Sequence, residues 1–115
     1  MGALVGLDLG TTAIKAVVYD ADAGRVIRRV SRPTPLEHPR PEWSVYDPER
    51  FWETVQVCLK EASRGVSVKG LAVSSMGETG LPLDAHNRPL YPLVAWHDRR
   101  GDPQPALRVL RRVGI

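Results

Sequence analysis

The chain of 115 residues predicts an α/β fold, a mixed sheet that opens with an antiparallel three-strand meander and carries flanking helices. Three observations carry this prediction. Three short strand-like segments lie within the first 31 residues and are joined by tight turns, and short connections make antiparallel neighbours. One amphipathic segment then repeats its apolar residues at helical spacing. A further apolar segment follows it directly, and a helix placed between strands is the crossover that brings a strand back to the sheet in parallel.

Residues 3–9 (ALVGLDL) form the first strand, which Gly10 ends. Residues 13–20 (AIKAVVYD) form the second, with partial alternation. Ala21 to Gly24 is a turn, with Asp20 and Asp22 as turn formers and Gly24 free to take a positive φ. Residues 25–31 (RVIRRVS) form the third strand, with Val26 and Val30 expected on one face. Residues 33–48 hold five of the ten prolines, which predicts an extended surface loop. Asp47 then caps a helix that Pro48 opens. Its Phe51, Trp52, Val55, Cys58, Leu59 and Ala62 share an arc of roughly 120°, which predicts a buried face. Gly65 ends the helix. Residues 68–75 (VKGLAVSS) read as a buried strand, and 80–83 and 91–96 as short strands around an Asp84–Pro89 turn. Gln104 to Val113 reads as a last helix. Ala106, Leu107, Val109, Leu110 and Val113 lie on one side and Arg108, Arg111 and Arg112 on the other. Leu107, Leu110 and Val113 are expected to be uncovered, which predicts either self-association, a homodimer included, or disorder of this segment.

Composition narrows the function classes. Apolar residues make up 43% and charged residues 25%, which suits one small folded domain and excludes disorder. The lone Cys58 excludes a disulfide scaffold. No apolar run approaches the ~18 residues of a membrane span, and Met1 leads into Leu4, Val5 and Leu7 without a signal-type leader. A cytoplasmic protein without membrane partners is expected. The net charge of +3 belongs wholly to the last twenty residues, where five arginines face Asp98 and Asp102. The basic balance therefore describes one helix face and makes no general case for nucleic acid. His38, His86 and His97 are isolated and lack metal-ligand spacing.

The chemistry concentrates in Gly6-Leu7-Asp8-Leu9-Gly10-Thr11-Thr12. A strand read as buried carries one carboxylate, Asp8, to its end, and Gly10 then turns the chain to present two hydroxyls. Backbone amides beside a glycine approach anions closely, and hydroxyls add donors for phosphate oxygens. A single carboxylate suits Mg²⁺, which keeps waters and phosphate oxygens among its ligands. Lys15 adds positive charge nearby. A plain hairpin turn is the competing reading of the same residues. The carboxylate between Leu7 and Leu9 favours the first, because a buried carboxylate needs a partner.

The segment GLDLGTTAIKAVVYD resembles the first phosphate loop of the actin-like ATPase superfamily, and within it the FGGY carbohydrate kinases. PEWSVYDPERFW resembles the segment that opens that family's first long helix. VKGLAVSSMGETGLPLDAHNRPLYPLVAWHDRR resembles its sugar-site hairpin, which ends in a Trp-x-Asp-x-Arg-like signature. The resemblance implies a ribonuclease-H-like sheet, with residues 1–115 as the N-terminal portion of the first kinase domain. It implies ATP and Mg²⁺, and transfer of the γ-phosphoryl group to a small sugar or polyol. Asp8 is then the metal-holding carboxylate, and Gly10, Thr11 and Thr12 line the phosphate loop. Lys15 stands where glycerol kinase has an arginine near the transferred group. Glu78 matches the glutamate that binds substrate hydroxyls, Trp96 the tryptophan packed on the substrate's carbon chain, and Asp98 and Arg100 the same loop signature. Gly77 departs from the arginine of glycerol kinase, and Met76-Gly77-Glu78 departs from the Met-His pair of xylulokinases.

The family's catalytic aspartate comes from a later motif, and its adenosine site belongs to a second domain. The resemblance therefore implies an incomplete first domain, inactive alone, because phosphoryl transfer needs both reactants positioned in a closed site. Two other functions compete. A non-kinase ATPase of the same superfamily has no use for a hydroxyl-binding glutamate and a tryptophan loop at residues 76–100. A basic nucleic-acid-binding module calls for aromatics interleaved with the basic tail, which is without them after Trp96.

Overall fold

The computed structural model describes residues 2–101, 108 and 110–114. Strands β1 (Ala3–Leu9), β2 (Ala13–Asp20) and β3 (Arg25–Pro33) form the antiparallel meander. Ala3, Val5 and Leu7 are buried on one face, while Leu4 and Gly6 between them are exposed. Val18 and Ala16 of β2 pair with Val5 and Leu7 and are buried beside them. The β2–β3 turn closes on Asp20, whose carboxylate accepts the amides of Asp22 and Ala23 at 3.0 Å each, and Gly24 takes φ +66°.

Val26 and Val30 do not share a face, contrary to the simple alternation. Arg28 pairs with Val18 but Val26 with Tyr19, so Ile27 is the extra residue of a bulge. Val30 is buried, Val26 sits opposite the exposed Tyr19, and Ile27 packs on the core in its place.

Residues 33–48 are not one extended surface loop. β3 runs on to Pro33, and β4 (Leu36–Glu37) pairs antiparallel with β5 (Val45–Tyr46). Thr34, Ser44, Val45 and Tyr46 are buried. The prolines fit because Pro33 ends an edge strand and the others lie outside the paired residues.

Helix α1 (Pro48–Ala62) begins as its sequence demands, with the Asp47 carboxylate accepting the amides of Glu49 at 2.9 Å and Arg50 at 3.0 Å. Val55, Cys58 and Ala62 are buried, and Phe51 and Leu59 pack at the margin of the core. Trp52 is 58% exposed, not a core residue. It sits at the end of the apolar arc, about 60° around the helix from Val55, beyond the sheet's reach. At the other end of the helix, Arg28 Nη1 from β3 donates to the carbonyls of Glu61, Ala62 and Arg64 at 3.2, 2.6 and 2.8 Å.

The crossover through α1 returns as β6 (Val68–Ser75), parallel to β1, and completes the mixed order β3-β2-β1-β6. β6 was expected to be buried, yet Val68, Leu71 and Val73 are exposed. The cause is local: α1 packs over β2 and β3, and nothing among the described residues covers β6. The segments 80–83 and 91–96 shrink to β7 (Leu93–Val94), which pairs with β5, and to single bridges at Gly80 and Leu83. Pro82, Pro89 and Pro92 lack the amides a longer ladder needs. Of the last predicted helix, Arg108 and residues 110–112 are helical, Leu110 and Val113 are exposed, and the rest lies outside the described residues. No helix among the described residues is long and apolar enough to cross a membrane.

Candidate functional site

The site forms where β1 ends. The Gly10 amide donates to the Ala13 carbonyl at 3.0 Å, and a Cβ at residue 10 would stand 2.5 Å from that same oxygen. Only glycine fits this turn. Three consecutive carbonyls are then tied into the protein. That of Gly10 accepts from Thr34 Oγ1 at 2.7 Å, that of Thr11 from the Tyr46 hydroxyl at 3.1 Å, and that of Thr12 from the Thr34 amide at 3.0 Å. Among the described residues, the amides of Thr11 and Thr12 meet no protein acceptor. A loop with its carbonyls engaged and its amides open is built to receive an anion.

Thr34 and Tyr46 were not singled out from the sequence. Tyr46 did carry a signal. It precedes the Asp47 cap and meets Phe51, four positions into the helix, edge to face at 5.8 Å between ring centroids. Burial also raises the pKa of the Tyr46 phenol, which keeps its proton for donation.

Asp8 is only partly buried, contrary to the reading of its strand. Leu7 and Leu9 flank it in sequence, but alternation turns it to the face opposite the core. Lys15 lies directly across from it in β2, and Ser74 Oγ of β6 donates to Asp8 Oδ1 at 3.0 Å. Gly6, Asp8, Lys15, Val17, Ala72 and Ser74 line an open cavity of about 380 Å³. No group of three His, Cys, Asp or Glu side chains among the described residues gathers as a metal site. One accessible carboxylate and one hydroxyl are hard oxygen donors. They fit Mg²⁺ that arrives with water and phosphate oxygens, and do not fit a resident metal held by protein alone.

The second wall is the hairpin after β6. The Met76 amide donates to the Leu9 carbonyl at 2.9 Å, which sets this segment beside the loop. Met76, Gly77, Glu78 and Trp96 line a cavity of about 290 Å³. Glu78 takes φ +54°, a left-handed conformation costly for a non-glycine residue. The Trp96 amide donates to Thr79 Oγ1 at 3.1 Å and its indole Nε1 to Thr11 Oγ1 at 2.9 Å. Thr11 Oγ1 in turn donates to Met76 Sδ at 3.7 Å.

Asp98 and Arg100 are placed differently. Asp98 accepts from Arg100 Nε and Nη2 at 2.8 Å each, from the Arg100 amide at 3.0 Å and from the Ser44 amide at 2.6 Å. The Arg100 guanidinium holds the Asp98 carboxyl well below the usual carboxylate range, and Asp98 raises Arg100 in return. Arg100 also lies 3.7 Å from the Trp43 ring centroid and donates to the Tyr91 hydroxyl at 3.0 Å. The pair thus clamps the hairpin to residues 43–44. The structure brings Thr11, Glu78 and Trp96 to one wall and Asp8 and Lys15 to one sheet face, with the Asp98–Arg100 pair behind the first.

Residues 3–107 match the profile of the FGGY family of carbohydrate kinases, N-terminal domain. A glycerol kinase of Alkalilimnicola ehrlichii is 35% identical over 106 residues, which cover 87% of this chain and 21% of that protein. The chain thus spans about a fifth of the length of the curated relatives it matches. The xylulose kinase structure from Rhodospirillum rubrum superposes with a TM-score of 0.81 at 30% identity, covering 93% of this chain and 23% of that one. That of ligand-bound xylulose kinase from Lactobacillus acidophilus gives 0.84 at 22% identity, over 99% and 23% of the two chains, and shares the fold.

Proposed function

This chain belongs to the FGGY family of carbohydrate kinases, and from that premise we propose that the enzyme carrying it transfers the γ-phosphoryl group of ATP to a hydroxyl of a small sugar or polyol. The chain supplies the first phosphate loop and part of the sugar site. The open amides of Thr11 and Thr12, with the Gly10 turn that aims them, bind phosphate oxygens, and Lys15 adds charge on the same side. Asp8 holds Mg²⁺, which when bound neutralises charge on the phosphates. Glu78 accepts substrate hydroxyls, and the Trp96 ring packs on the carbon chain. Asp98 and Arg100 position that wall. By itself the chain is one side of a cleft and is expected to turn over nothing.

One observation carries the reading. The 2.9 Å bond from Trp96 Nε1 to Thr11 Oγ1 sets a cavity of about 290 Å³ that carries the Glu78 carboxylate directly against the loop with open amides. That arrangement serves a reaction between a phosphate and an alcohol. A coupled ADP-release assay of the whole enzyme across tetritols, pentuloses and hexuloses tests it. At least one compound should drive ADP release, and Glu78→Ala should raise its KM about 10-fold or more, the worth of a hydrogen bond to a charged group. No compound raising ADP release above background would refute the proposal.

A further inference from the structure

The Thr11 hydroxyl joins the two walls of the site and is engaged from both. It accepts the Trp96 indole proton at 2.9 Å and donates to Met76 Sδ at 3.7 Å. A threonine hydroxyl owns one proton. In this arrangement the hydroxyl is directed at sulfur, and the backbone amide is the donor Thr11 leaves open to an anion. The backbone of Thr11 is itself anchored, since its carbonyl accepts the Tyr46 hydroxyl at 3.1 Å. On the other wall, Met76 and Trp96 both line the cavity that holds Glu78. The Trp96 side of that cavity is weakly packed, as this residue is 55% exposed. Hydrogen bonds rather than burial therefore set the angle of its ring, one from the amide to Thr79 Oγ1 and one from the indole to Thr11.

The geometry points to Thr11 as a positioning residue whose hydroxyl couples occupancy of the sugar cavity to the shape of the phosphate loop. The inference rests on the proposed function for both ligands. A substrate settled against Trp96 fixes the indole, the indole fixes the Thr11 side chain, and the anchored backbone then presents the Thr11 and Thr12 amides in one arrangement. Phosphate bound on those amides fixes the ring in the same way. Linkage makes the effect reciprocal, so each ligand tightens the other by one common factor. One neutral hydrogen bond limits that factor to about two- to tenfold.

Equilibrium binding tests this. The sugar or polyol found in the ADP assay is titrated into the whole enzyme with and without AMPPNP. In the wild type and in Thr11→Ser, AMPPNP should lower the sugar Kd about two- to tenfold. In Thr11→Val, which keeps the shape and removes the hydroxyl, the factor should fall to one. A wild type without the factor, or a Thr11→Val variant that keeps it, overturns the inference. A second measurement needs no catalysis. In the ¹H–¹⁵N spectrum of the 115-residue chain, the Trp96 indole signal is identified by its loss in Trp96→Phe. It should move in Thr11→Val and hold its place in Thr11→Ser, while the remaining signals report an intact fold. An indole signal indifferent to Thr11→Val overturns the inference. An enzyme that phosphorylates none of the compounds refutes the proposed function, and the indole signal then decides the hydrogen bond on which the coupling depends.

Discussion

Asp98 shows how one carboxylate holds a loop. Its side chain is 3% exposed and takes four hydrogen bonds, three of them from Arg100. The ionised form is therefore favoured in the folded state, and its pKa lies below that of the unfolded chain. Stability from this group is full above the unfolded value of about 3.9 and is lost as pH falls toward the depressed folded value. Asp98→Asn should lower Tm clearly at pH 7, and the gap should narrow only as the pH drops below about 4. Thermal melts from pH 7 down to pH 2 check this, and a gap constant across that range would contradict it. The type and spacing of Asp98 and Arg100 were legible in the sequence. Their mutual engagement was not, because Ser44, Trp43 and Tyr91 reach them from segments whose pairing no local pattern announces. Gly10 was legible, since a turn after an apolar strand asks for it. Thr34, set between two prolines in a stretch read as loop, was not.

At the scale of the element, α1 is the most predictable piece of the molecule and its C-terminus the least. The Asp47 cap, Pro48 and the apolar spacing are all local, so the sequence displays them. The Arg28 fork is not local. It comes from β3, beside a bulge, and fills the orphan carbonyls of Glu61 and Ala62 together with that of Arg64 just past the helix. A cation at a helix C-terminus with partly buried geometry is worth on the order of 1–2 kcal/mol. Arg28→Ala should therefore lower Tm by roughly 5–10 °C, with Arg28→Lys recovering part of the loss. Melting curves of the three proteins decide this, and an unchanged Tm for Arg28→Ala would show the fork to be idle. The Ile27 bulge escaped the pattern reading for a related reason. Alternation assumes one residue per step, and one extra residue exchanges the faces of everything before it.

For the whole molecule, the mixed sheet and its crossover followed from the order of apolar segments. Burial of β6 did not, because a strand is buried only if something lies on it. Leu71 and Val73 share the α1 face of the sheet with Val5 and Leu7, yet α1 packs chiefly over β2 and β3 and leaves β6 exposed. The two walls of the site likewise became one only in three dimensions. Residues 8–15 and 76–96 are far apart in the chain, and the Trp96–Thr11 bond spans 85 positions. The central claim is that this fold serves ATP-dependent phosphorylation of a sugar or polyol, with Asp8 as its metal-holding carboxylate. Its most direct test is substrate-dependent ADP release by the whole enzyme with Asp8 intact and with Asp8→Ala, with folding checked by melting. The account predicts that release collapses by about 100-fold or more, since several kcal/mol of charge stabilisation on the phosphates is lost. Undiminished release from a folded Asp8→Ala enzyme would contradict it.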